Sequence, residues 1–138
     1  MATLGKQSWV YIGTSALTGG EFLKLHTVKG QVDLAGVVGD VLVGVASEAV
    51  PAGNVTPQNV GVWNPHNCPG TVQVIASTAI SLGAVLGVTT GGKVVTVTPN
   101  ATGTATLEFI VGHAAEAAAA DGNVIEMLWP TVFTHSVA

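Results

Sequence analysis

Val111-Gly112-His113-Ala114-Ala115-Glu116-Ala117, continuing through Ala118-Ala119-Ala120 into Asp121-Gly122-Asn123-Val124, is the stretch on which the fold class turns. By propensity alone, the alanine run from Ala114 to Ala120 is a strong helix former. A helix of about two turns is marginal in water, so propensity does not decide its state. A second copy does. Val43-Gly44-Val45-Ala46-Ser47-Glu48-Ala49 repeats five of the seven residues of Val111–Ala117 in the same places. Each copy is followed by Gly-Asn-Val (Gly53-Asn54-Val55 and Gly122-Asn123-Val124) and then by a tryptophan, Trp63 or Trp129. In the first copy Pro51 falls between the block and the Gly-Asn-Val, where it would break a helix. Both copies are therefore expected to run strand, wide turn, strand. Two copies are too few for a solenoid and predict a pair of similar hairpins.

Outward from these blocks, turn signals recur at short intervals: Gly19-Gly20, Lys29-Gly30, Gly39-Asp40, Pro51 to Asn54, Pro65 to Gly70, Gly91-Gly92 and Pro99-Asn100. Between them lie β-rich runs over 41–46, 71–76, 84–89, 93–98, 104–111 and 124–129. Many short strands separated by regular turns predict an all-β sandwich or barrel. The 138 residues suit one domain, divided as an N-terminal arm with the first strand (1–20), a β domain (21–129) and a C-terminal tail (130–138).

Composition narrows the function. Only 9% of residues are charged, against about 25% in ordinary domains. Hydrophobic residues make up 48%, yet aromatics only 5%, so the apolar mass is mostly Val, Ala, Leu and Ile. Such a surface predicts self-association or a permanent partner. The four basic residues, Lys6, Lys24, Lys29 and Lys93, are scattered, there is no arginine, and the net charge is −4. Phosphate backbones need clustered cations, so nucleic-acid binding is not expected. The N-terminus lacks the pattern of a signal peptide, and no apolar run is long enough for a membrane-spanning helix.

Catalytic chemistry is not expected either. The acids Glu21, Asp33, Asp40, Glu48, Glu108, Glu116, Asp121 and Glu126 stand singly, with no pair at general acid–base spacing. The histidines His26, His66, His113 and His135 form no tight metal motif. His66-Asn67-Cys68 would supply at most half a zinc site, and Pro65 and Pro69 mark it as a rigid loop. No nucleophile elbow, P-loop or dinucleotide fingerprint is present. The expectation is no enzyme, no metal and no cofactor. The tryptophans could stack sugars, as in a carbohydrate-binding or adhesin-like module, but interface anchoring is the commoner use of Trp.

Ile80-Ser-Leu-Gly83-Ala-Val85, Gly92-Lys-Val94 and the Val111–Leu128 run together resemble the capsid decoration, or cement, proteins of tailed bacteriophages, over about residues 42–129. The resemblance implies a barrel-like β domain of the β-tulip type with an extended N-terminal arm. It implies a homotrimer on the outer surface of the phage head, assembled in the host cytoplasm, bound to the major capsid protein at three-fold or quasi-three-fold sites and stabilising the shell. It also implies a terminal arm that adds a strand to the capsid protein, a role placed on residues 1–12. Expected anchors at the capsid or oligomer interface are Trp9, Tyr11, Ile12, Trp63, Trp129 and Phe133. Another virion component, such as a head-fibre base, is the alternative within the same class.

Overall fold

The structure is a computed structural model and describes residues 5–37, 39–98, 107–130 and 134–137. Twelve strands are defined among them: β1 (Gln7–Tyr11), β2 (Phe22–Leu25), β3 (Gln31–Leu34), β4 (Leu42–Ala46), β5 (Gln58–Trp63), β6 (Thr71–Ile75), β7 (Val85–Thr89), β8 (Lys93–Thr96), β9 (Leu107–Ile110), β10 (Gly112–Ala114), β11 (Val124–Leu128) and β12 (Thr134–Val137). The described residues contain no α-helix, and one 3-10 turn at Thr90–Gly92 joins β7 to β8. The all-β expectation holds, and it holds at the alanine run: β10 ends at Ala114, the chain bends, and Ala118 forms an isolated bridge to Ile80.

The strands build two units. β1, β3, β2, β4 and β5 form a closed barrel, and β6, β11, β10, β7 and β8 form a five-stranded sheet. Tyr11, Leu23, Val32, Val60 and Val62 fill the barrel. Val74, Leu86, Val94, Ile125 and Met127 fill the concavity of the sheet. Phe22, Ala35 and Val45 of the first unit belong to the second core, and Phe22 meets Trp129 edge-to-face at 6.1 Å. The units therefore share apolar packing.

The internal similarity seen in the sequence extends over the whole fold. β2 pairs with β3 and β4, and β7 with β8 and β10. β5 pairs with β4 and β1, and β11 with β10 and β6. β1 meets β3 in parallel (Tyr11 beside Val32), as Ala76 meets Val94. Individual hydrogen bonds recur. Gly20 N donates to Ala46 O at 2.8 Å, and Gly83 N to Ala114 O at 2.7 Å. Leu17 and Val50 exchange two bonds, as do Ile80 and Ala118. Glu48 accepts from the Gly61 amide, and Glu116 from the Glu126 amide.

The repeated Val-Gly-x-Ala motif has a steric reason. A Cβ on Gly44 would overlap the Trp63 carbonyl oxygen, and one on Gly112 would fall 2.5 Å from the Leu128 carbonyl oxygen. Both glycines let a strand pass close to the backbone facing it.

Two sequence-based correspondences need correction. Val62 faces Ala46, and Met127 faces Ala114, so the counterpart of Trp63 is Leu128 rather than Trp129. By the same register Asn123 matches Gln58, and the two Gly-Asn-Val triplets are not equivalent. The first unit has a longer turn before β5, a difference that local matching could not register.

Candidate interaction surface

Among the described residues no group of three or more His, Cys, Asp or Glu could hold a metal ion. In the loop between β5 and β6, the Asn67 carboxamide oxygen accepts from the Asn64 amide at 2.8 Å, and Asn64 in turn accepts from the His66 and Asn67 amides. This self-bonded turn leaves His66 exposed and Cys68 half-buried. The Cys68 thiol lies 3.5 Å from the Thr71 carbonyl, and burial, helped by Glu126, pushes its pKa up. A thiol held protonated is a poor nucleophile and a poor ligand.

An open cleft of about 510 Å³ runs between the units, lined by Thr18, Ser47, Trp63, Cys68, Gln73 and Glu126 among others. Its thiol, Cys68, is bonded to the Thr71 carbonyl rather than to a carboxylate. Beside it, the buried Glu21 carboxylate accepts from Thr18 N (2.7 Å), Thr18 Oγ1 (3.2 Å) and Gly19 N (2.8 Å), which fixes one wall. Ser47 Oγ, on the lining, and Trp129 Nε1 are buried with no hydrogen-bond partner among the described residues.

The expected anchors do not form one patch. Tyr11 is fully buried in the first barrel, its hydroxyl donating to the Ser15 carbonyl, and Trp129 is buried against Phe22. Both are core residues, which corrects their expected role as surface anchors. Trp9 and Ile12 are half-buried. Trp9 Nε1 donates to Gln7 Oε1 at 3.1 Å, and Ile12 N donates to Val32 O. Trp63 is half-buried, with the Lys6 ammonium 5.8 Å above its ring. Phe133 lies outside the described residues. An arm role for residues 7–11 is corrected in the same way: Gln7–Tyr11 form β1, paired along its whole length with β5 and also joined to β3. Pulling them out would open the barrel.

The exposed apolar surface lies elsewhere. Leu25, Val28, Val37 (67% exposed) and Val41 (62%) stand around the β2–β3 turn and the β3–β4 loop, where Leu25 N donates to Val41 O. Val55 (86%) and Leu82 (71%) tip other turns, and Val124 and Leu128 face out from β11. Sequence reasoning missed these positions because single valines in turns look like strand residues. One charged brace organises this region: Asp40 accepts from the Gly36 and Val37 amides at 2.8 and 3.0 Å and pairs with Lys24 at 3.5 Å.

A last feature has no counterpart in the first unit. β9 continues β10 after Val111 and lies beside β7, while β12 follows β11 and pairs antiparallel with β9. Together they form a separate two-stranded sheet.

The described residues thus form two like β units, with apolar side chains exposed in their turns. Residues 6–128 match the model of the phage cement protein family. The chain belongs to that family. Its place is thus in the phage virion, as a structural protein associated with the capsid. No curated protein matches it. Among solved structures, this cement protein is similar in fold to the head fiber gp8.5 N base of bacteriophage phi29. The TM-score is 0.63 and the identity 18%, covering 93% of this chain and 97% of that one.

Proposed function

We propose that this cement protein decorates the outer surface of the phage head, binding the major capsid protein as a homotrimer at three-fold or quasi-three-fold sites and stabilising the shell. The observation that carries this reading is the family match over residues 6–128, which spans both β units and their two apolar cores. Cementing requires no chemistry. It requires apolar area held in a fixed shape and repetition on a lattice, which multiplies modest contacts into avidity. The low charge supports this, because few ionic groups need desolvation when two such surfaces meet.

A second reading is a base for a head fibre, supported by the likeness in fold to the phi29 head-fibre base. Both place the protein on the virion and differ in symmetry and copy number. The carbohydrate-module alternative lacks its main feature, since Trp9, Trp63 and Trp129 share no exposed platform.

The test is to mix the protein with undecorated capsids, sediment them, and image the pellet by cryo-electron microscopy. Six hexamer corners, each shared by three capsomers, give about two trimers per hexamer at full occupancy. Density confined to fewer, unique positions would favour the fibre-base reading. No co-sedimentation at micromolar protein would refute capsid binding.

A further inference from the structure

We infer that copies of this cement protein join head to tail, the β2–β3 turn of one copy seated on the outer face of β11 in the next with its Lys29 against Glu126, an assembly that rests on the homotrimer reading above. Side chains alternate along β11. Ile125 and Met127 are buried in the core, and Val124, Glu126 and Leu128 stand on the opposite face. Val124 and Leu128 are exposed, so this face runs apolar, acidic, apolar along the strand. Val124 and Glu126 also line the cleft between the units, together with Gln73, Trp63 and Ser47. Among the described residues the ion pairs are Lys24–Asp40 and Lys93–Asp121, so the Glu126 carboxylate has no cation of its own. The cleft therefore carries an unpaired negative charge beside the unpartnered Ser47 hydroxyl.

The same chain supplies one complement to this face. There is no arginine. Of the four lysines, Lys24 and Lys93 are paired with acids, and Lys6 lies 5.8 Å over the Trp63 ring. Lys29 is left as the exposed cation without an acid among the described residues. It stands in the β2–β3 turn, which the bond from Gln31 N to Val28 O closes at 3.2 Å. Val28 beside it and Leu25 at the base of the turn are exposed as well. The turn thus joins one unpaired cation to exposed aliphatic groups, as β11 joins one unpaired carboxylate to them. Burying Leu25 and Val28 against Val124 and Leu128 supplies the affinity. The ion pair adds little by itself at a surface, but it fixes register and rejects wrong partners. A turn and a sheet face are different surfaces, so the contact is heterologous and every copy offers both halves. Such contacts close into a ring of three when successive copies are rotated by about 120°, which is the symmetry of the proposed trimer.

Charge reversal tests this by sedimentation velocity over a concentration series, with thermal unfolding as the control. Lys29→Glu and Glu126→Lys each place like charges at the contact and should raise the concentration for half-association about ten-fold or more. The double variant K29E/E126K restores opposite charges and should return to within about three-fold of the parent. Both positions lie outside the cores, so cooperative unfolding should persist; if Glu126→Lys fails to fold, Glu126→Gln, which removes the charge without reversing it, takes its place beside Lys29→Glu. A trimeric parent whose association is indifferent to both single reversals would overturn the inference and leave the homotrimer reading standing. So would single variants that lose binding to undecorated capsids while still trimeric, since that result gives the two surfaces to the shell. Weakening by both single reversals with no recovery in the double variant would also overturn the pairing of Lys29 with Glu126. A parent that stays monomeric both free and on capsids would defeat the homotrimer reading itself.

Discussion

Gly112→Ala is the sharpest test of the claim that the repeated glycine exists for backbone proximity. The added Cβ would lie 2.5 Å from the Leu128 carbonyl oxygen and 2.9 Å from Met127 Cγ and Sδ. The methionine can swing aside at small cost, since its side chain is flexible. The carbonyl cannot, because Leu128 is held in β11 between β10 and β6. Relief to an ordinary contact requires a shift of roughly 0.5–1 Å in a close-packed region. Overpacking of this kind costs about 1–3 kcal/mol, and a weakened ladder hydrogen bond adds about 1 kcal/mol. The expected destabilisation is about 2–4 kcal/mol in urea unfolding. Near ~4 °C per kcal/mol for a chain of this length, the midpoint should fall by about 8–16 °C. Gly44→Ala, its counterpart in the first unit, should cost at least as much, because its φ of 154° adds backbone strain to the clash with the Trp63 carbonyl. Gly122→Ala supplies the control: Gly122 has φ of 87° but open space around its Cβ position, so only left-handed strain of roughly 1 kcal/mol is introduced. If Gly112→Ala costs no more than Gly122→Ala, close approach is not why glycine stands there.

Three further outcomes follow from the same packing. Burial, reinforced by Asp33 and Glu21, pushes the phenol of Tyr11 up to about 12. As Tyr11 is the only tyrosine, absorbance at 295 nm should stay flat through pH 11 in the folded protein; the stability this group contributes is full below its unfolded pKa near 10 and declines as pH rises toward 12. At Asp40, burial works to raise the carboxyl pKa, but the Gly36 and Val37 amides and the Lys24 ammonium outweigh it and hold the pKa below the usual range. Its contribution is then full above about pH 4 and lost as pH falls through the depressed value, so the gap in urea midpoint between wild type and Asp40→Asn should be wider at about pH 5 than at the acid end of the range. Glu21→Ala removes the acceptor of the Thr18 and Gly19 amides and should cost about 2–4 kcal/mol, where Ser81→Ala in the corresponding exposed loop of the second unit should cost under ~0.5 kcal/mol.

Much of the interior was legible beforehand because strand cores write themselves into residue order. Val-Val-Thr-Val at 94–97 and Val-Gly-x-Ala at 43–46 and 111–114 announce strands by β-branching and by a glycine no strand tolerates without cause. Tyr11 and Trp129 were misplaced because an aromatic residue near a chain end has the same composition whether it enters a barrel or caps a partner. Only the pairing of β1 with β5 and the meeting of Phe22 with Trp129 distinguish the two.

Sequence alone determined the β class, the repeat of a glycine-bearing strand and turn, and the sparse, scattered charge, since each depends on neighbours a few residues apart. The tertiary structure decided that the repeat spans two whole five-stranded units, that the first strand is locked inside a barrel, and that β12 returns to pair with β9. Those outcomes are contacts between segments far apart in the chain, such as Gln7 against Val62 and Thr71 against Leu128. Their free energy comes from apolar surface buried jointly by distant strands, which local residue order does not encode.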